Sequence, residues 1–141
     1  MDSILIAHND GNSEVYSFTS RLHNKDIEPF DESKTYDYNF HIEYACANYT
    51  NTNCLYDSYR DYYYIITCGT INYENRDGTT NSPDDAPWSV IVLDKNFHQI
   101  DEIIMPKYLS YQHIMITPEG ISIQNNKLAL KNNNYTGICN L

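Results

Sequence analysis

The sequence predicts an all-β fold of antiparallel hairpins, and three observations predict it. The apolar share, 41% of the 141 residues, leans on 14 tyrosines, and tyrosine and β-branched residues fit a pleated, half-buried surface. Short apolar runs alternate with Asn, Asp, Gly and Pro turns along most of the chain. No segment carries a sustained 3.6-residue stripe. The hairpin rhythm predicts about two blades of an incomplete β-propeller, although no internal repeat of fixed period accompanies it.

Each element follows in order. Ile4 to His8 is an apolar run, Asn9-Asp10-Gly11-Asn12 supplies residues that tolerate positive φ, and Glu14 to Phe18 alternates; together they predict a hairpin. Residues 19–39 are polar and carry Pro29, which predicts a long connection with an edge strand near Tyr36 to Phe40. His41 to Cys46 reads as a strand and 48–53 as an Asn/Thr-rich loop. Leu55-Tyr56 ends a strand, Asp57-Ser58-Tyr59-Arg60 turns, and Tyr62 to Thr67 runs back. Alternation places Tyr62, Tyr64 and Ile66 on one face and Tyr63, Ile65 and Thr67 on the other. Both faces are largely apolar, so this strand is expected between two layers.

Residues 69–87, punctuated by Gly69, Gly78, Pro83 and Pro87, form a loop long enough to suggest a functional element. Trp88 to Leu93 is a nearly continuous apolar strand. Asp94-Lys95-Asn96 turns, with Asn96 expected in the left-handed conformation, and His98 to Ile104 returns before Pro106. Ile114 to Ile116 and Ile121 to Ile123 flank Thr117-Pro118-Glu119-Gly120, which has the type I turn signature. The tail is Asn- and Lys-rich, with weak strand character at Leu128 to Leu130. The expected organisation is one domain over 1–141: a partial blade and connection at 1–40, the main blade region at 41–125, and a weakly ordered tail at 126–141.

Composition narrows function by exclusion. A formal net charge of −10 offers no basic patch to displace counterions from phosphates, so nucleic acid is not an expected partner. No apolar run has the length of a membrane span. Met1-Asp2-Ser3 lacks the start of a secretory signal, so the expectation is a cytoplasmic protein or a chain that has lost its upstream part. Cys46, Cys54, Cys68 and Cys139 form no C-x-x-C pair; free apolar thiols are the simpler reading, and a disulfide between neighbouring strands remains open. The five histidines show neither i,i+4 pairing nor an H-E-x-x-H pattern, and no P-loop, dinucleotide fingerprint or G-x-S-x-G elbow is present. Asn48-Tyr49-Thr50 and Asn134-Tyr135-Thr136 match the glycosylation acceptor pattern, a motif frequent by chance in an Asn-rich chain.

Three segments, Tyr56-Asp57-Ser58-Tyr59-Arg60-Asp61-Tyr62-Tyr63-Tyr64, Pro87-Trp88-Ser89-Val90-Ile91-Val92-Leu93-Asp94 and Thr117-Pro118-Glu119-Gly120-Ile121-Ser122-Ile123, together resemble the later blades of TolB-like six-bladed propeller proteins. These are uncharacterised and found mainly as Bacteroidetes lipoproteins. The likeness covers residues 50–125. It departs from the family in length, in the missing lipoprotein signal and in the tail after Gln124. The resemblance implies a fold and a cell-envelope context and carries no activity with it.

The candidate ligand-binding residues are Asp57, Arg60, Tyr62 and Trp88. Asp57 reads either as a turn residue accepting bonds from its own backbone, with Arg60 paired to it or to Asp61, or as a carboxylate facing a central channel. Trp88 reads as a core ring or as a stacking surface for a sugar or peptide. Tyr59, Tyr62, Tyr63 and Tyr64 read as packing between blades or as a carbohydrate platform. The leading expectation is a binding or scaffold module without cofactor or metal, whose 69–87 loop contacts a glycan, peptide or envelope protein and whose open blade edges allow self-association. The alternatives are a metal-dependent propeller hydrolase or lactonase drawing on Asp57 and Asn9, and a gene remnant without independent role.

Overall fold

A computed structural model describes residues 2–126 and 136–139. Among the described residues, nine strands and one α-helix run in the order β1 (Asp2–Ala7), β2 (Ser13–Phe18), α1 (Tyr38–Ala47), β3 (Thr50–Asp57), β4 (Tyr62–Cys68), β5 (Trp88–Leu93), β6 (Gln99–Ile104), β7 (Leu109–Thr117), β8 (Gly120–Asn125) and β9 (Thr136–Cys139). They form three antiparallel sheets: the hairpin β1-β2, the four-stranded meander β3-β4-β5-β6, and β7-β8-β9.

The meander is the middle layer. Tyr64, Ile66, Trp88, Val90 and Val92 on one face pack against Leu109, Ile121 and Ile123 of the third sheet. Ile65, Ile91 and Leu93 on the other face pack against Phe18 and Ile4 of the hairpin. This is the two-faced burial that the alternation of β4 predicts, and all six residues of β5 are buried. A strand covered on both sides is apolar at nearly every position, here all but Ser89, which is why β5 shows no alternation.

The turns explain the strand ends. Gly11 adopts φ +86, in a turn closed by its amide on the His8 carbonyl at 3.0 Å. The β5–β6 connection has the corresponding turn, closed by the Phe97 amide on the Asp94 carbonyl at 2.9 Å. There the left-handed residue is Phe97, at φ 62, and not Asn96. Packing overrides turn preference at this point: the Phe97 ring lies 4.6 Å from Tyr63 and 4.8 Å from Tyr16.

Further expectations are corrected. Tyr36–Phe40 and His41–Cys46 are not strands, because α1 spans Tyr38–Ala47. Asp37 caps it, accepting the Phe40 amide at 3.1 Å, and Phe30 packs against Phe40 and Tyr44, one turn apart. Only Cys46 is buried on this helix, so it has no apolar stripe to announce it. Most of the expected 48–53 loop belongs to β3, which pairs from Thr50↔Cys68 onward with a bulge between Asn51 and Asn53. Its side chains there are exposed, so backbone pairing to β4 defines the strand without apolar residues. In the tail, Thr136–Cys139 pairs with β8; Leu128 to Leu130 lies outside the described residues.

Candidate functional site

The central sheet has two ends, and the predicted residues divide between them. At the β3–β4 turn, Asp57 is fully buried. Its carboxylate accepts the Tyr59 amide at 2.9 Å, the Arg60 amide at 3.2 Å, Arg60 Nη1 at 2.9 Å and the Tyr64 hydroxyl at 3.1 Å. Burial pushes its pKa upward, but these donors outweigh burial and hold it below the ordinary carboxylate value. The same burial, with the bond to Asp57, pushes the Tyr64 phenol up to about 12. Arg60 then reaches across to the third sheet, donating to the Thr117 carbonyl at 3.3 Å and the Pro118 carbonyl at 2.7 Å. Asp57 and Arg60 are therefore a clamp between two turns, and the carboxylate has its partners within the protein. Tyr62 lies beside it, half-buried against the same core.

Trp88 is at the opposite end. It pairs in register with Cys68, six residues along β4 from Tyr62 and hence about 20 Å away. Its ring is buried, its Nε1 donates to the Leu109 carbonyl at 3.1 Å, and Tyr111 covers it edge-on with ring centroids 6.1 Å apart. The four predicted residues thus do not meet in one site.

Of the four tyrosines read as inter-blade packing or a platform, Tyr64 is buried, Tyr62 and Tyr63 are half-buried on opposite faces of β4, and Tyr59 is exposed. Tyr56, Tyr63, Phe97 and Tyr16 stack in a row with centroid spacings of 4.9, 4.6 and 4.8 Å. Rings so close present their faces to one another, and rings lying side by side would be farther apart. The stack joins three strands and a turn, and Tyr56 at one end of it is 50% exposed.

A second polar cluster ties the segment after β2 to the middle sheet. Glu102 accepts Ser20 Oγ at 2.6 Å, Ser89 Oγ at 2.8 Å, and the Arg21 amide and Nε at 2.9 and 3.1 Å. Beside it, His23 joins the Asp2 carboxylate through Nδ1 and Thr67 Oγ1 through Nε2 at 2.7 Å, while stacking on Tyr49 at 3.6 Å. A hydroxyl, an imidazole and a carboxylate in series have the order of a nucleophile, base and orienting acid. The geometry closes that chemistry off: Thr67 is fully buried within β4 and also bonds the Thr50 carbonyl at 3.3 Å. Among the described residues, no three His, Cys, Asp or Glu side chains are grouped to hold a metal ion. Cys46, Cys54 and Cys68 are free thiols.

A concavity with an apolar lining lies at the Trp88 end. The 69–87 loop has no regular strand, yet it is held in place. The Gly69 amide donates to the Pro87 carbonyl at 2.7 Å, and the Ile71 amide to the Cys46 carbonyl of α1 at 2.9 Å. Gly69 permits this approach, since a Cβ there would come within 3.1 Å of the Leu22 side chain. Asp84 fixes the loop to β7 by accepting the Tyr111 hydroxyl at 2.5 Å and Gln112 Nε2 at 3.0 Å. Between loop and helix lies a cavity of about 350 Å³, walled by Tyr44, Tyr49, Cys68, Pro83 and Tyr111. Burial pushes the Cys68 thiol up to about 11 and, with the Asp84 bond, the Tyr111 phenol up to about 12. Beside it, a more open concavity of about 640 Å³ is lined by Lys25, Glu43, Thr70, Asn72, Tyr73 and Glu74. Sequence reasoning located this loop but missed Tyr44, Tyr49 and Tyr111. Recognising α1 from Asp37 and the Phe40/Tyr44 spacing was the one signal that could have found the first.

Asn48, in the first acceptor motif, is buried; its side chain accepts the Glu28 amide at 2.8 Å and donates to the Tyr44 carbonyl at 2.9 Å. In the folded chain it is a helix C-cap, with no free nitrogen to present.

No known family's sequence profile matches the chain, and no curated protein matches it. No helix among the described residues is long and apolar enough to cross a membrane. Among solved structures, the chain is similar to a member of the DUF4221 family, a domain of unknown function, from Bacteroides vulgatus. The identity is 26% and the TM-score 0.72, over 90% of this chain and 35% of that one. The chain thus spans about a third of that protein's length and shares its β-rich architecture with an uncharacterised Bacteroides protein.

Proposed function

We propose that the chain is a non-catalytic binding module built from TolB-like propeller blades, acting in the bacterial cell envelope on a glycan, peptide or envelope protein. In this reading β3–β6 is a whole blade, and β1–β2 and β7–β9 are parts of its two neighbours. The observation that carries it is the layering. The inner strands β4 and β5 of the middle sheet are covered on both faces, while the flanking sheets expose Leu5 at 63%, Val15 at 65% and Met115 at 59%. Leu5 and Val15 are directly paired, so they form one apolar spot of the kind that further sheets cover. The recognition end is the 69–87 loop with its polar concavity, where Asn72, Tyr73 and Glu74 stand beside Lys25 and Glu43.

The test is a panel of envelope glycans and peptides against the immobilised chain, with Asn72→Ala and Tyr73→Ala as site variants. Binding weakened about tenfold by either substitution supports the reading. Calcium-dependent hydrolysis of an ester or lactone panel would replace it with the hydrolase alternative.

A further inference from the structure

We propose that the cavity between α1 and the 69–87 loop is a binding site for a small uncharged aromatic molecule bearing one hydrogen-bond donor, a phenol or an indole by class. The site uses the loop assigned above to recognition, and to that extent rests on that reading. Its volume, about 350 Å³, is at the lower end of small-molecule sites, roughly 300–1,000 Å³, and suits one or two rings.

The wall chemistry selects the class. Tyr44 donates its hydroxyl to the Glu28 carbonyl at 2.7 Å and Tyr111 donates to Asp84 at 2.5 Å. Tyr49 is hydrogen-bonded to Asp2, and Asn48 has its amide oxygen and one of its two N–H groups engaged. Each phenolic oxygen that has given its proton away still carries a lone pair. The wall can therefore accept a hydrogen bond but has no tyrosine proton left to give. A ligand carbonyl or carboxylate would find only the second Asn48 N–H, the Thr50 hydroxyl and the weak Cys68 thiol as side-chain donors, and a sugar would bury more acceptors than these can serve. The carboxylates of Asp84 and Asp2 behind Tyr111 and Tyr49 further disfavour an anion. The remaining lining, Pro83 and the Cys68 thiol with the tyrosine rings, suits an aromatic face.

The single tryptophan provides the readout, since Trp88 lies against Tyr111 at 6.1 Å. The full chain is titrated with phenol while Trp88 fluorescence is excited beyond phenol absorption. A saturable change is expected, with Kd in about the millimolar range or below for so small a ligand. Anisole, which lacks the donor, should bind at least about fivefold more weakly, and benzoate and benzylamine more weakly still. Ala45→Leu, at the exposed cavity rim on α1, should abolish phenol binding with the helical signal and Tm retained. A cavity that is a packing defect only gives no saturation up to the solubility limit, and that result overturns the proposal. So does equal binding of anisole, tighter binding of benzylamine, or an Ala45→Leu chain that folds and still binds phenol. A negative glycan and peptide screen leaves phenol binding unaffected, so the two proposals fail separately.

Discussion

Replacing Asp57 with Asn should destabilise the chain by about 2 kcal/mol, and with Ala by about 3–4 kcal/mol. The carboxylate is fully buried and accepts two amides, one guanidinium nitrogen and one phenol. Ala leaves those donors without their acceptor, and each buried unpaired group costs about 1–3 kcal/mol. Water entering the turn beside Arg60, which is only partly buried, recovers some of this. Asn keeps the shape and one acceptor oxygen but turns an NH₂ toward a donor and removes the charge opposite Arg60, an interaction worth most when one partner is removed alone. Arg60→Met should cost about 2 kcal/mol through the Thr117 and Pro118 carbonyls as well as through Asp57. The double variant should show a coupling of about 1–3 kcal/mol, as expected for groups in one network. Urea unfolding at neutral pH, followed by Trp88 fluorescence, measures all four variants. An Asp57→Asn change within about 0.5 kcal/mol of the parent, the range of ordinary surface substitutions, refutes the clamp.

Three further outcomes are expected. Asp57 and Glu102 both have folded pKa values below their unfolded ones, so the unfolded chain takes up protons first. Their contribution is present above the unfolded values and is lost as pH falls from about 5 through the folded ones, which acid titration of Tm checks. Tyr64 and Tyr111 have folded values raised to about 12; stability from them is present below pH about 10 and lost as pH rises through 12, measurable by phenolate absorbance together with unfolding. Phe97→Gly should be about 1 kcal/mol less damaging than Phe97→Ala in urea unfolding, because only Gly relieves the left-handed backbone while both lose the ring stack.

Much of this fold was legible because two-faced burial and turn chemistry both leave local marks. The run from Tyr62 to Thr67 shows its faces by alternation, and Trp88 to Leu93 its double burial by having none. What stayed hidden depends on distant partners. The helix α1 is made by a capping Asp37 and by Phe30, eight positions before its first residue, while its own sequence alternates well enough to read as a strand. Asn96 is the better left-handed residue by itself, but Phe97 has rings on both sides to hold it. At Asp57 the turn role was readable from neighbours, whereas the Arg60 bonds to Thr117 and Pro118 span 57 and 58 positions. The cavity was least visible, since its walls come from α1, β4, the loop and β7 together.

The polar ties between sheets have a mechanical consequence. Arg60 binds the β7–β8 turn, Trp88 binds the start of β7, and Glu102 and Gln99 on β6 hold residues 19–21 after the hairpin. Arg60, Trp88 and Gln99 act at strand ends and Glu102 within β6, while the sheet faces meet largely through Ile, Val and Leu side chains. Apolar faces alone tolerate sliding, because their attraction is non-directional. Bonds between side chains and fixed backbone groups do not tolerate it, since they weaken steeply with misalignment. The polar ties therefore set how the layers are aligned, and the apolar faces supply most of the adhesion. Cutting one tie should loosen one interface before the middle sheet opens. Hydrogen exchange of a Glu102→Gln chain should then show faster exchange at the Arg21 amide, with the β4 and β5 amides still protected. Uniform loss of protection would mean that the layers unfold as one unit and that the ties do not align them separately.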